Sequence, residues 1–291
     1  LRARAEKRWN PHGGEGFKAA VLLGFLRNKD AVDPFVLLLL VKVVSTAAVV
    51  VGASVAAERF GPFWGGLIAC FPVSAGPAYV LLGLQHDDAF IANAAFASFC
   101  CSIATWVNAV TFARLGQRFG IYISLTLTLI VWFIVAYVVR SISWTVPTAI
   151  ISTTVAFVVA IKLTPKISAQ LDPNRKPVKH WSELPIRAVL VGLFVATVVS
   201  VSEAIGPEAT GIASVFPLAT SSLAVIMARS LGMSAATAAV AATVKPMIGI
   251  VIAMFVLSQT AQSWGMWPAM GLALVISMVV PLTIAKLSHR N

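Results

Sequence analysis

The sequence predicts an all-α polytopic membrane protein of about nine transmembrane helices, two inverted four-helix repeats around one linker helix. Three observations carry that reading. Of the 291 residues, 58% are hydrophobic and 11% are charged, whereas a soluble domain is about one quarter charged. Apolar stretches of about 20 residues recur, each able to cross a hydrocarbon core of roughly 30 Å. Finally, residues 58–98 lie without a gap over 203–243.

Taken in order, residues 1–32 form a basic segment, cytoplasmic or interfacial, carrying Arg2, Arg4, Lys7, Arg8, Lys18, Arg27 and Lys29. Its apolar piece at 19–26 is too short to span and is followed by Arg27, Lys29 and Asp30. It reads as an interfacial helix rather than a cleavable signal. A first repeat, 33–140, holds spans at 34–57, 61–84, 88–112 and 119–139. A linker helix at 144–163 and a basic loop fill 141–184. The second repeat, 185–291, holds spans at 186–205, 206–228, 233–258 and 265–285.

The repeats share an ordered string. Glu58 falls on Glu203, Gly61-Pro62 on Gly206-Pro207, Gly66 on Gly211, and Phe71-Pro72 on Phe216-Pro217, always 145 positions apart. Val80, Ala94 and Ala97 fall on Val225, Ala239 and Ala242, and Lys42 on Arg187, at the same offset. Four spans return a chain to its starting side, so the unpaired fifth helix turns the second copy over, as in inverted-repeat transporters. On Gly66, Leu67, Phe71 and Pro72, and on Gly211, Ile212, Phe216 and Pro217, each copy resembles the small four-span GlpM-like bacterial inner-membrane family. That resemblance implies a fused dimer of such units in a bacterial cytoplasmic membrane, and implies little about chemistry.

Charge does not choose the orientation. Six basic residues run from Lys162 to Arg187. Five full crossings place them opposite the basic N-terminal segment, against the preference for cytoplasmic Lys and Arg. Re-entrant hairpins at 61–84 and 206–228 would put both clusters on one side and make the repeats parallel. The length of each segment and the odd fifth helix favour full spans.

Gly-Pro and Phe-Pro inside apolar runs need a physical reason. Pro62 and Pro207 suit helix starts, but Pro72 and Pro217 remove a donor and clash with the preceding turn. The second and seventh spans are therefore expected to break near 70–77, where Pro77 adds to the break, and near 215–222. Such backbone survives in a membrane only when protein covers it or a wet cavity adjoins it. A half-helix N-terminus there presents free amides to a polar or anionic solute; a plain packing kink is the competing reading. The expected substrate-binding residues are Phe71, Pro72, Ser74 and Gly76 in one copy and Phe216, Pro217, Thr220 and Ser221 in the other. Asn93, an intramembrane amide, and Lys245, followed by Pro246 near mid-span, join them. A mid-membrane lysine costs roughly 2.5–3.5 kcal/mol on insertion scales, which points to a solute path or counter-ion.

Other groups read as structural. Gly65, Gly66, Gly211 and the alanine-rich stretches 91–98 and 235–243 permit close helix approach. Lys42, Glu58, Arg187 and Glu203 read as interfacial anchors, and His86, Asp87 and Asp88 as a solvated loop. Cys70, Cys100 and Cys101 read as apolar fillers without a disulfide. The net charge of +11 sits in tails and loops, where it meets lipid headgroups rather than nucleic acid. No metal motif, dinucleotide fingerprint or nucleophile elbow occurs, so neither cofactor, metal nor catalytic residue is expected. The expected function is a secondary transporter or channel for a small anionic or polar solute. The alternative is a non-transporting integral subunit or assembly factor, partnered by a second copy or a larger membrane complex.

Overall fold

A computed structural model describes residues 75–165, 167 and 183–288. Spans 34–57 and most of 61–84, the basic N-terminal segment and most of the basic loop lie outside the described residues. Within them the protein is all-helical and multi-pass, with six helical stretches long and apolar enough to cross a membrane.

Helix α1 (Ala75–Gly83) leads into α2 (Asp88–Leu115), the best buried of the long helices. Asp87 caps α2 by accepting from the Phe90 amide at 2.8 Å, which satisfies a donor that a helix start leaves free. Helix α3 (Ile121–Arg140) follows Gly120, and α4 (Val146–Leu163) opens on a Thr145–Thr148 capping box with Pro147 in its first turn. Two thirds of the apolar window of α2 is buried (67%) against 22% for α3 and 17% for α4. The outer faces of α3 and α4, with Tyr122, Phe133, Tyr137 and Ile151 exposed, are therefore dressed for lipid.

The second half begins with α5 (Glu183–Ser214), which is two helices joined at Gly206 (φ 77°, ψ 173°). That left-handed backbone suits glycine, and Pro207 then opens the following turn at no donor cost. Val215, Phe216 and Pro217 interrupt the helix before α6 (Leu218–Ser230). Helix α7 (Met233–Thr243) is separated from α8 (Ile248–Trp264) by the turn 244–247, and α9 (Met266–Ser288) completes the described residues.

Side-chain bonds fix the direction of each helix. Asp88 marks the first end of α2 and Arg114 the second. Asn108 donates to the Thr128 carbonyl at 3.0 Å as α3 returns beside α2, and Arg114 reaches the Leu163 carbonyl, placing the end of α4 at the second end. Ser202 meets His86 at 2.7 Å, so the first part of α5 arrives at the first end. From Gly206 the chain runs alongside α2 in the same direction: Ser98 donates to the Gly211 carbonyl and Thr105 to that of Val215. Helix α6 reaches the second end, where Arg229 donates to Tyr122; residues 206–230 therefore run from the first end to the second without turning back. Gly116 faces Met233 and Thr237 as α7 starts there. At the first end the Met266 amide donates to Asp88 at 3.0 Å, so α9 starts where α8 finishes.

Two equivalences follow from these bounds. Helix α2 starts at residue 88 and α7 at 233; α3 starts at 121 and α9 at 266. Both pairs are 145 positions apart, and the members of each pair run in opposite directions. One asymmetry stands between them: α2 is a single helix of 28 residues, whereas its counterpart is cut between α7 and α8. Pro246 removes the donor for Ala242, and residue 101, its equivalent, is a cysteine that leaves α2 intact.

Candidate functional site

The broken stretch 206–230 meets α2 at mid-height. Where the ladder stops, the Val215 carbonyl accepts from Thr105 Oγ1 at 3.2 Å. The neighbouring residue serves the other break, because Trp106 Nε1 donates to the Val244 carbonyl at 3.2 Å. Ile248 bonds to Lys245 instead of Val244, which is why the Val244 oxygen needs an outside donor. Thr105 and Trp106 thus meet the demand that hydrocarbon places on irregular backbone.

Phe216 turns into an aromatic cluster. Its ring lies 5.1 Å from Trp132, edge to face, 5.4 Å from Phe194 and 5.9 Å from Phe133. Cys101, Ala104 and Ala136 are buried with Trp132 here, against Ile212, Val215 and Phe216. Among the described residues Trp132 Nε1 is buried without a hydrogen-bond partner, in the cluster that flanks the start of α6. Pro217 is buried at that start. Thr220 donates to the Pro217 carbonyl at 3.1 Å, the Ser221 amide reaches the same oxygen, and Ser222 donates to Ala219. The small polar residues after Phe-Pro therefore hold their own turn together.

Above this cluster, towards the first end, a half-open cavity of about 640 Å³ is lined by Asn93, Cys100, Arg140, Trp144, Glu208 and Ile212, among others. Arg140 ends α3, Glu208 lies just after Gly206, and Cys100 is about 18 Å along α2 from Asp88 at 1.5 Å per residue. The cavity thus descends from the membrane edge to mid-height. Ile212 belongs to both its wall and the aromatic cluster beneath it.

The expected residues divide. Asn93 is exposed on the cavity wall, whereas Asn108 is buried and joins two helices. Phe216, Pro217, Thr220 and Ser221 gather at the break below. Gly76 and Pro77 lie in the described part of α1, and residues 70–74 of the expected break at 70–77 fall outside the described residues. Phe71, Pro72 and Ser74 fall outside the described residues. Lys245 is exposed on the turn 244–247 rather than enclosed, and among the described residues no hydrogen bond or ion pair engages its ammonium. Its equivalent, Cys100, lines the cavity. Glu203 is exposed.

The segment read as a solvated loop, exposed at Leu84, Gln85 and Asp87, is also a joint. His86 stacks on Phe90 at 3.7 Å and bonds to Ser202, Asp87 caps α2, and Asp88 receives the Met266 amide. Close approach at Gly211 is real: a Cβ there would overlap the Ala94 carbonyl. Tyr79 and Ser98 are buried in the same contact, Tyr79 donating to Ser98 at 2.7 Å and Ser98 to the Gly211 carbonyl. Sequence reasoning missed Thr105, Trp106, Trp132, Arg140 and Glu208. Only Glu208 had a local signal, its place directly after Gly-Pro.

No family model, no curated protein and no solved structure matches this chain.

Proposed function

We propose that this polytopic helical membrane protein is a secondary transporter or channel for a small polar solute, with two inverted four-helix repeats around the linker helix α4. The shared offset of 145 residues between helix starts and the opposed directions of α2 against α7–α8, and of α3 against α9, support the 4+1+4 plan. A single repeat would then stand as one GlpM-like unit, in a bacterial cytoplasmic membrane. The observation that carries transport is the cavity of about 640 Å³ that descends from Arg140 and Glu208 to Cys100 and Ile212. It ends on the aromatic cluster around Phe216, where the seventh span is broken. In this reading the cavity is a vestibule, Phe216 with Trp132, Phe133 and Phe194 forms its floor, and movement at Val215–Pro217 opens the floor.

The test is access from water. Ser141→Cys at the mouth and Ile212→Cys at the inner end, each without the native cysteines, are treated with a membrane-impermeant maleimide in oriented vesicles. Both should label from one side of the membrane and neither from the other. An Ile212→Cys protein that labels from neither side, while Ser141→Cys does label, defeats the vestibule. Lys245→Ala should alter solute uptake in proteoliposomes; unchanged uptake removes Lys245 from the path.

A further inference from the structure

Among the described residues the mouth of the cavity carries one charge of each sign. Arg140 and Glu208 both line it and both are exposed, and among the described residues no ion pair joins them. They stand on different elements, the last residue of α3 and the first turn after Gly206, with the Asn93 amide and the Trp144 ring in the same lining. Trp144 is pinned, its Nε1 donating to the Val139 carbonyl at 2.8 Å.

We propose that this cavity binds an amphoteric solute, its phosphate or carboxylate held by Arg140 and its ammonium by Glu208. The inference rests on the vestibule reading above and narrows its substrate class. A simple anion would meet Arg140 but be opposed by Glu208, and a simple cation would meet the reverse. A neutral molecule carrying both charges satisfies the two side chains together, so that each charge leaving water meets an opposite one. A guanidinium engages phosphate or carboxylate through paired hydrogen bonds. An aromatic wall such as Trp144 favours an ammonium beside it. Glycerophosphoethanolamine in solution and the headgroup of phosphatidylethanolamine, both phosphodiesters with one ammonium, present the same pair of charges.

The experiment uses the full chain with Asn93→Cys and with Cys70, Cys100 and Cys101 replaced by serine, in phosphatidylglycerol liposomes. The thiol is treated with an anionic (sulfonatoethyl) or a cationic (trimethylammonioethyl) methanethiosulfonate. Arg140→Gln should slow the anionic reagent, and Glu208→Gln the cationic one, each by about three- to ten-fold for loss of a charge nearby. Glycerophosphoethanolamine should protect the thiol at concentrations where phosphate alone and ethanolamine alone do not. That protection should disappear in both glutamine variants and persist in Arg140→Lys. If phosphatidylethanolamine liposomes protect without any addition, the headgroup is the occupant; protection only by soluble glycerophosphoethanolamine identifies a free solute. Equal protection by phosphate or by ethanolamine alone overturns the proposal, as does protection indifferent to both glutamine variants, or none from either source. Those results leave the vestibule standing, whereas an Asn93→Cys thiol unreactive to both reagents defeats the vestibule and the proposal together.

Discussion

Replacing Trp106 by phenylalanine tests whether α2 stabilises the break beside Lys245. Trp106 is fully buried, its Nε1 donates to the Val244 carbonyl at 3.2 Å, and its ring packs 5.1 Å from Phe157. Phenylalanine retains most of the ring contact but deletes the donor, leaving a carbonyl that Ile248 does not reach. An orphaned buried acceptor costs about 1–3 kcal/mol in soluble proteins. Side-chain hydrogen bonds inside membranes measure nearer 0.6–2 kcal/mol. We therefore expect a hydrogen-bond loss of about 1 kcal/mol, together with a packing loss from the smaller ring. A double-mutant cycle separates the two. Pro246→Ala restores an amide for the Ala242 carbonyl and lets the helix continue, so that the Ile248 amide can take the Val244 oxygen. In that background Trp106→Phe should retain only its packing cost. The coupling should be about 1 kcal/mol, roughly a five-fold difference in the unfolding equilibrium, read from unfolding in mixed detergent micelles with increasing dodecyl sulfate. An identical loss from Trp106→Phe with and without Pro246 would refute the assignment of Trp106 to the break.

Two further outcomes follow from the packing between the halves. Gly211→Ala drives a methyl into the Ala94 carbonyl and should cost about 1–3 kcal/mol in the same unfolding assay; a neutral result would mean that α2 and the stretch after Gly206 do not meet there. Asp88→Ala removes the acceptor of the Met266 amide at 3.0 Å and should destabilise by about 1–2 kcal/mol, with Asp88→Asn, which keeps an acceptor oxygen, losing less.

Much of the architecture was legible because a bilayer leaves few ways to satisfy backbone. The apolar runs at 88–112, 119–139 and 144–163 became α2, α3 and α4, since an unpaired amide in hydrocarbon is costly. Phe216-Pro217 marked the interruption after Ser214, and Gly206-Pro207 the sharp joint before it, because both proline and a left-handed glycine act locally. Lys245 was less legible. Its depth could be counted along the chain, but whether a mid-span position faces protein or the outside depends on neighbours distant in sequence. His86, Asp87 and Asp88 looked like solvated polar residues, and their bonds to Ser202 and Met266 cross 116 and 178 positions, which no local pattern encodes.

Composition and spacing by themselves determined that this protein is helical, lies in a membrane, and carries a string of residues repeated at an offset of 145. These depend on hydropathy, proline and glycine, whose effects reach only a turn or two along the chain. Tertiary structure alone decided which way each helix runs, that Thr105 and Trp106 hold the carbonyls freed at the two breaks, and that Arg140 and Glu208 share one cavity. Each is a meeting of groups from different helices, and hydrophobic burial, being non-directional, does not say which partners will meet.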